Sequence, residues 1–272
     1  MRVGEWLQRA RNMGVTRLDA QLLLAHHLGR PRTWLLAHDD EMLTAEAARP
    51  ALTDLEHRAA GVPLAYLLGE REFHGLVLKV DTAVLVPRPE TEGLVDWALE
   101  LAPALPLPRL ADLGTGSGAV ALAFKHRMPA FDVDASDRSA AALAVAEANG
   151  RHLGLKVNWL AGDWWQAHAG RRYGLAVSNP PYLADGDPHL PALRHEPRHA
   201  LVAGPDGLAD LHRIVQGAPA HLAPGGWLLL EHGFDQAPEV RELLLRAGFG
   251  AVQTRADLAG LPRCTGGRHP AR

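Results

Sequence analysis

Two consecutive prolines, Pro180 and Pro181, follow the apolar run Leu175-Ala176-Val177 and are flanked by Asn179 and Tyr182. Proline offers no backbone N–H and fixes φ at about −65°, so a central strand cannot continue through this pair. The chain is expected to turn out of a sheet here. Asn179 Oδ1 and the Pro180 carbonyl are then unpaired acceptors facing a cleft, with the Tyr182 ring as a wall. Two acceptors beside a flat ring suit an –NH2 group. An ordinary proline-rich turn after a strand has the same spelling, so the surrounding segments have to decide.

Upstream, Leu110-Ala111-Asp112-Leu113 runs into Gly114-Thr115-Gly116-Ser117-Gly118 and then into Ala119-Val120 and Ala121-Leu122-Ala123-Phe124. This pattern predicts a strand, a tight turn and a helix. Glycines permit positive φ and close backbone approach, so the turn can receive a ligand against the helix N-terminus. Gly114, Gly116 and Ala119 also fit the permissive dinucleotide fingerprint, which leaves a nicotinamide cofactor open. Asp112 tilts the reading away from it. A carboxylate two residues before the first glycine repels a pyrophosphate and favours a cationic amino acid such as that of S-adenosylmethionine.

A second candidate strand at Phe131–Ala135 leads to Asp137, which can accept both ribose hydroxyls of a nucleoside. Asp134 is a rival, but it lies inside the strand alternation, whereas a helical pattern starts directly after Asp137. A third strand, Val157–Leu160, leads to Gly162-Asp163-Trp164-Trp165. There a carboxylate beside aromatic rings can bind adenine, although two tryptophans in a core have the same spelling.

In this order, Asp112 with its glycine loop, Asp137, Asp163-Trp164 and Asn179-Pro180-Pro181-Tyr182 resemble the class I S-adenosylmethionine-dependent methyltransferases. Within them the chain is most similar to the HemK/PrmC-type glutamine methyltransferases of peptide chain release factors. The resemblance extends to Asp19–Leu24, Pro63–Gly69, Glu72–Gly75, Glu196-Pro197, Glu231-His232-Gly233 and Asp257–Gly260. Its most specific stretch is Pro87-Arg88-Pro89-Glu90-Thr91-Glu92, where the related ribosomal-protein glutamine methyltransferases usually differ. The resemblance implies a Rossmann-like α/β sheet and S-adenosyl-L-methionine as methyl donor, with S-adenosyl-L-homocysteine as product. It also implies methylation of the glutamine N5 in a Gly-Gly-Gln loop of bacterial release factors. By the same resemblance, Asp112, the residues from Gly114 to Gly118, Asp137, Asp163, Trp164 and Asn179 hold the cofactor. Asn179, Pro180 and Tyr182 carry catalysis, and Pro181 and Glu196, the latter in a loop near the cleft, also count among the substrate-binding residues; Arg88, Glu90 and Glu92 line the mouth that admits the substrate or, equally, form a salt-bridge cluster at the domain junction. A methyltransferase acting on N6 of adenine or N2 of guanine would use the same acceptor pair. A ribosomal-protein glutamine methyltransferase and a cofactor-binding module without catalysis also stay open.

The first 75 residues carry helix-period apolar positions and no long strand. Thr16 can cap a helix ended by Gly29, and Thr44 one that runs toward Gly61. A small helical substrate-recognition domain is expected at 1–75. A β-hairpin linker is expected at 76–90, its strands at Leu76–Val80 and Ala83–Val86, and a catalytic domain at 91–272. The chain has 272 residues, 47% of them hydrophobic, enough for one large domain and a small one. No run approaches the ~20 apolar residues of a membrane span, and the N-terminus lacks an apolar signal core, so a cytoplasmic protein is expected. A formal charge of −3 argues against a stable nucleic acid partner. The single cysteine, Cys264, excludes an internal disulfide and a cysteine-rich zinc site. His195-Glu196-Pro197-Arg198-His199 has the H-E-x-x-H spelling of zinc proteases, but that spelling needs a continuous helix and Pro197 interrupts it. No metal is expected.

Overall fold

A computed structural model describes residues 1–271 and separates into two compact units, Met1–Glu70 and Arg71–Arg272. The first unit is helical: α1 (Val3–Asn12), α2 (Arg17–Leu28), α3 (Arg32–Ala37), α4 (Ala45–Ala59) and α5 (Leu64–Leu68). Thr16 Oγ1 accepts the Asp19 N–H at 3.1 Å and so starts α2. Gly29, at φ 60°, ends it in a left-handed cap. The helices enclose Val3, Trp6, Leu23, Leu24, Leu35 and Leu55. Arg58 Nε donates to Asp19 Oδ2 at 2.9 Å and so ties α4 to α2.

The second unit opens with a hairpin, β1 (Glu70–Phe73) and β2 (Leu76–Lys79). Its turn residues His74 and Gly75 both have positive φ, the geometry that matches the right-handed twist of paired strands. The hairpin therefore sits earlier than the pattern predicts, and Ala83–Val86 is not a strand. Asp81 Oδ1 accepts the Ala83 N–H at 2.8 Å and turns the chain there, while the Val86 N–H goes to Glu196 Oε2 at 3.1 Å instead of to a strand partner.

From there helices and strands alternate: α6 (Glu92–Leu101), β3 (Arg109–Leu113), α7 (Ala119–Arg127), β4 (Asp132–Asp137), α8 (Ala140–Leu153), β5 (Asn158–Ala161) and β6 (Tyr173–Ser178). They are followed by α9 (Ala209–His221), β7 (Leu222–Glu231), α10 (Ala237–Arg246), β8 (Gly250–Ala256) and β9 (Pro262–Arg268). The sheet order is β5-β4-β3-β6-β7-β9-β8, with β3 to β7 parallel and β9 antiparallel to both neighbours. The segment Pro262–Arg268 near the end of the chain thus supplies a strand inside the sheet. The central strands are buried on both faces. Leu110, Leu175 and Val177 join the cluster that contains Leu94 and Trp97 of α6, whereas Ala111, Leu113 and Ala176 join the opposite one with Leu211 and Ile214 of α9. The strand order reverses between β3 and β6, and a crevice beyond the strand C-termini at such a point is where open α/β sheets bind ligands. Among the described residues no helix is long and apolar enough to cross a membrane.

Candidate active site

The turn after β3 is fixed from two sides. The Gly114 and Thr115 N–H groups donate to the Ser136 carbonyl of β4 at 2.9 and 2.8 Å, and the Gly116 N–H donates to Asp137 Oδ2 at 3.0 Å. Gly114 has φ 74°, and a Cβ there would lie 2.9 Å from the Trp164 ring, so this position needs glycine twice over. From behind, the buried Asn149 of α8 donates to the Ser117 carbonyl at 2.9 Å and also pairs with the backbone of Lys79. Asn149 is not among the residues that the sequence patterns single out. A weak helix former directly after the Ala-rich stretch 140–148 is the available signal.

Around this turn lies a cleft lined by Asp112, Gly114–Ser117, Asp137, Asp163, Trp164, Asn179, Pro181, Thr91 and Arg88, together with Val84, Leu85 and Pro87. The segment near His199 also lines it, and Arg138 Nη2 donates to the His199 carbonyl at 3.1 Å. Gly118, Pro180, Tyr182, Glu90 and Glu196 are not lining residues. Gly118, in a left-handed conformation, caps α7 behind the turn. Glu90 lines a second cavity with Glu92, Asp96, Asp257 and Arg263. Glu196 is buried, with its carboxylate held by Arg88 and by the Val86 N–H, so these two residues form a clasp. The segment 195–199 is not a continuous helix, and among the described residues no cluster of three or more His, Cys, Asp or Glu side chains is arranged around a metal.

Three carboxylates face the cavity in different states. Asp112 is buried, and burial raises its pKa to about 6 against the hydrogen bonds from Thr115 Oγ1 at 2.6 Å and Ala121 N at 3.2 Å. Asp137 accepts the Gly116 and Ser139 N–H groups, one on each oxygen. Asp163 pairs with Arg213 through Oδ2, while its Oδ1 is buried without a hydrogen-bond partner. Asp134, the rival of Asp137, does not line the cavity. Burial would raise its pKa, but hydrogen bonds from Asn158, Arg171 and Tyr173 outweigh that and hold it low. The two tryptophans divide: Trp164 lines the cavity, and Trp165 stacks on His221 in the core at 4.7 Å.

Asn179 follows directly on β6, whose Ser178 Oγ donates to the Leu113 carbonyl at 2.6 Å and locks the strand end. Asn179 Nδ2 donates to Thr91 Oγ1 at 3.1 Å. The Thr91 hydroxyl also works against the burial that raises the pKa of the Glu231 carboxylate, which is 1% exposed. Burial pushes the Tyr182 phenol up, and its carbonyl accepts from Gln236 Nε2 at 3.0 Å.

The PrmC N-terminal domain model matches residues 5–69, and the methyltransferase small domain model matches residues 98–196. The chain is 51% identical to the release factor glutamine methyltransferase of Bordetella pertussis, over 93% of this chain and 95% of that one. The chain belongs to the release factor glutamine methyltransferase family. The family's Xylella fastidiosa (strain Temecula1) member is 49% identical over 94% of each chain. A methyltransferase from Pyrococcus furiosus, at 16% identity, aligns with a TM-score of 0.54 over 72% of this chain and 90% of that one, which shows the Rossmann-like methyltransferase fold.

Proposed function

We propose that this protein transfers a methyl group from S-adenosyl-L-methionine to the side-chain N5 of the glutamine in the Gly-Gly-Gln motif of peptide chain release factors. The observation that carries this reading is near full-length kinship with release factor glutamine methyltransferases. A base of a nucleic acid or a ribosomal-protein glutamine is not favoured.

The cavity residues fit the cofactor. Asp163 Oδ1 is a buried acceptor in need of a donor, such as the adenine amine, and Trp164 provides apolar wall beside it. Asp137 suits the ribose hydroxyls, and Asp112 faces the same turn for an ammonium. When bound, the cofactor supplies a sulfonium-activated methyl, so the protein's task is mainly to position the acceptor nitrogen. A glutamine amide is a poor nucleophile because its lone pair is delocalised into the carbonyl. Asn179 Oδ1 and the Pro180 carbonyl accepting its two N–H bonds would orient that nitrogen, while Tyr182 and Pro181 exclude water. Arg88 and Glu196 serve this reading as the clasp that shapes one wall, and the helical unit as a platform for the folded partner.

Intact-mass analysis of a bacterial release factor after incubation with the protein and cofactor tests the reading. One added methyl is expected on the wild-type factor and none on a Gln→Ala variant of its Gly-Gly-Gln loop. No added methyl on either, with cofactor binding demonstrated, would refute it.

A further inference from the structure

An asparagine side chain is nearly symmetric in shape, with its oxygen and nitrogen interchanged by a half-turn about one bond. An incoming –NH2 group needs the oxygen, because a second –NH2 in its place offers donors to donors. We propose that Glu231, acting through the Thr91 hydroxyl, sets this half-turn and keeps Asn179 Oδ1 toward the substrate amide. Glu231 is thereby a positioning residue; the proposal rests on Asn179 as the acceptor site described above.

The register supplies the placement. Ser178 pairs with Leu230 across β6 and β7, so the next residue along, Asn179, leaves the sheet beside Glu231, the last residue of β7. Thr91, in the short 3-10 turn Pro89–Thr91, is 4% exposed, accepts from Asn179, and its hydroxyl acts on the Glu231 carboxylate to favour the ionised form. Thr91 has one hydroxyl proton. An ionised carboxylate only accepts, so that proton goes to Glu231 and leaves the Thr91 lone pairs to receive a donor from Asn179. Nδ2 must then point at Thr91, as it does at 3.1 Å, and Oδ1 points elsewhere.

Glu231 is poorly explained as a stabilising residue. Its Oε2 is buried with no hydrogen-bond partner, an arrangement that destabilises a fold. Burial raises its pKa to about 7, with Arg263 and Arg88 opposing the rise and Glu90 adding to it; Tyr182 and Cys264 are the other titratable neighbours. Once protonated, Glu231 can donate to Thr91 and reverse the direction of both hydrogen bonds. The methyl transfer rate should therefore fall as pH drops below about 7.

The test uses the full-length protein with Thr91→Val, Thr91→Ser and Glu231→Met, after thermal melting establishes which variants fold. Thr91→Val and Glu231→Met should each lower kcat on a release factor about tenfold, with cofactor affinity and KM changed less than about threefold. Thr91→Ser should restore most of the rate, and the acid limb of the kcat profile should vanish in Thr91→Val. Wild-type kcat in Thr91→Val, or a Thr91→Ser variant as slow as Thr91→Val, overturns the proposal. A second readout needs no substrate: the Asn179 side-chain amide signals in the nuclear magnetic resonance spectrum should shift in both Thr91→Val and Glu231→Met. Unchanged signals overturn the proposal even if the release factor is not the substrate, and absence of methylation by the wild type alone refutes only the functional reading.

Discussion

Asn149 Nδ2 donates to the Ser117 carbonyl at 2.9 Å, which pins the glycine turn from the face opposite the cavity. The same side chain exchanges hydrogen bonds of 2.7 and 3.0 Å with the Lys79 backbone, so one fully buried residue joins the end of β2, α8 and the turn. Asn149→Ala leaves buried backbone groups without partners and should destabilise the protein by about 2–4 kcal/mol in urea unfolding. Cofactor affinity should fall alongside, since the turn loses its rear support. A variant with wild-type stability and a weakened affinity would show that the pin acts on binding alone.

Asp163 makes the complementary case. Its pair with Arg213, which is 47% exposed, contributes little to stability, whereas its Oδ1 is buried and unpartnered beside Trp164. Asp163→Ala should therefore lower the affinity for S-adenosylhomocysteine about tenfold by calorimetry while the melting temperature stays nearly constant. Unchanged affinity would remove Asp163 from the adenine site.

The parallel sheet, the glycine turn and the exit at Asn179 were legible because each follows from backbone chemistry. Positive φ requires glycine, and paired prolines end a strand. Helix starts at Thr16 and Thr44 were legible for the same reason. The hairpin was displaced because Leu76–Lys79 and Ala83–Val86 both carry strand-like composition, and only the hydrogen bonds of Asp81 and Glu196 separate them. Arg88 and Glu196 were recognised as cavity candidates but not as each other's partner, since 108 residues separate them in sequence. Asn179 and Glu231 lie inside separate motifs, yet their adjacency depends on the register of β6 with β7, which no local pattern encodes.

His168 sets a pH window for stability. Tyr173 donates its hydroxyl proton to Asp134, so His168 Nδ1–H donates to Tyr173 at 2.6 Å and Nε2 accepts from Ser136 at 2.9 Å. This neutral tautomer is fully buried, and burial lowers the pKa from 6.5 to about 4. The unfolded chain therefore binds the extra proton between these values, and stability from this residue rises by about 3 kcal/mol as pH increases from 4 to 6.5. Asp112 and Glu231 act in the opposite sense. Burial raises their folded pKa values, so their contribution is present at low pH and is lost as pH rises through about 6 and about 7. The difference between wild type and His168→Gln, followed by urea unfolding across this range, cancels the two carboxylates. It should decline as pH falls toward 4, and a pH-independent difference would contradict the neutral assignment.

Asn179 should separate binding from transfer. It lines the cavity proposed for the cofactor, yet in the proposed mechanism its indispensable atom is Oδ1. Asn179→Ala should retain much of the cofactor affinity and lose about a hundredfold or more in kcat, because an acceptor nitrogen held without its partner is misaligned. Asn179→Asp is the sharper variant. It keeps an oxygen at the same position but removes the donor to Thr91, whose single proton is then shared between two carboxylates, the introduced one and that of Glu231. Repulsion should raise the pKa of the pair and turn the introduced side chain away, so that kcat remains low at neutral pH although an acceptor oxygen is present. Single-turnover methylation of a release factor, followed by intact mass, checks both variants. A fast Asn179→Asp enzyme would mean that acceptor geometry alone suffices and that the link to Thr91 is dispensable.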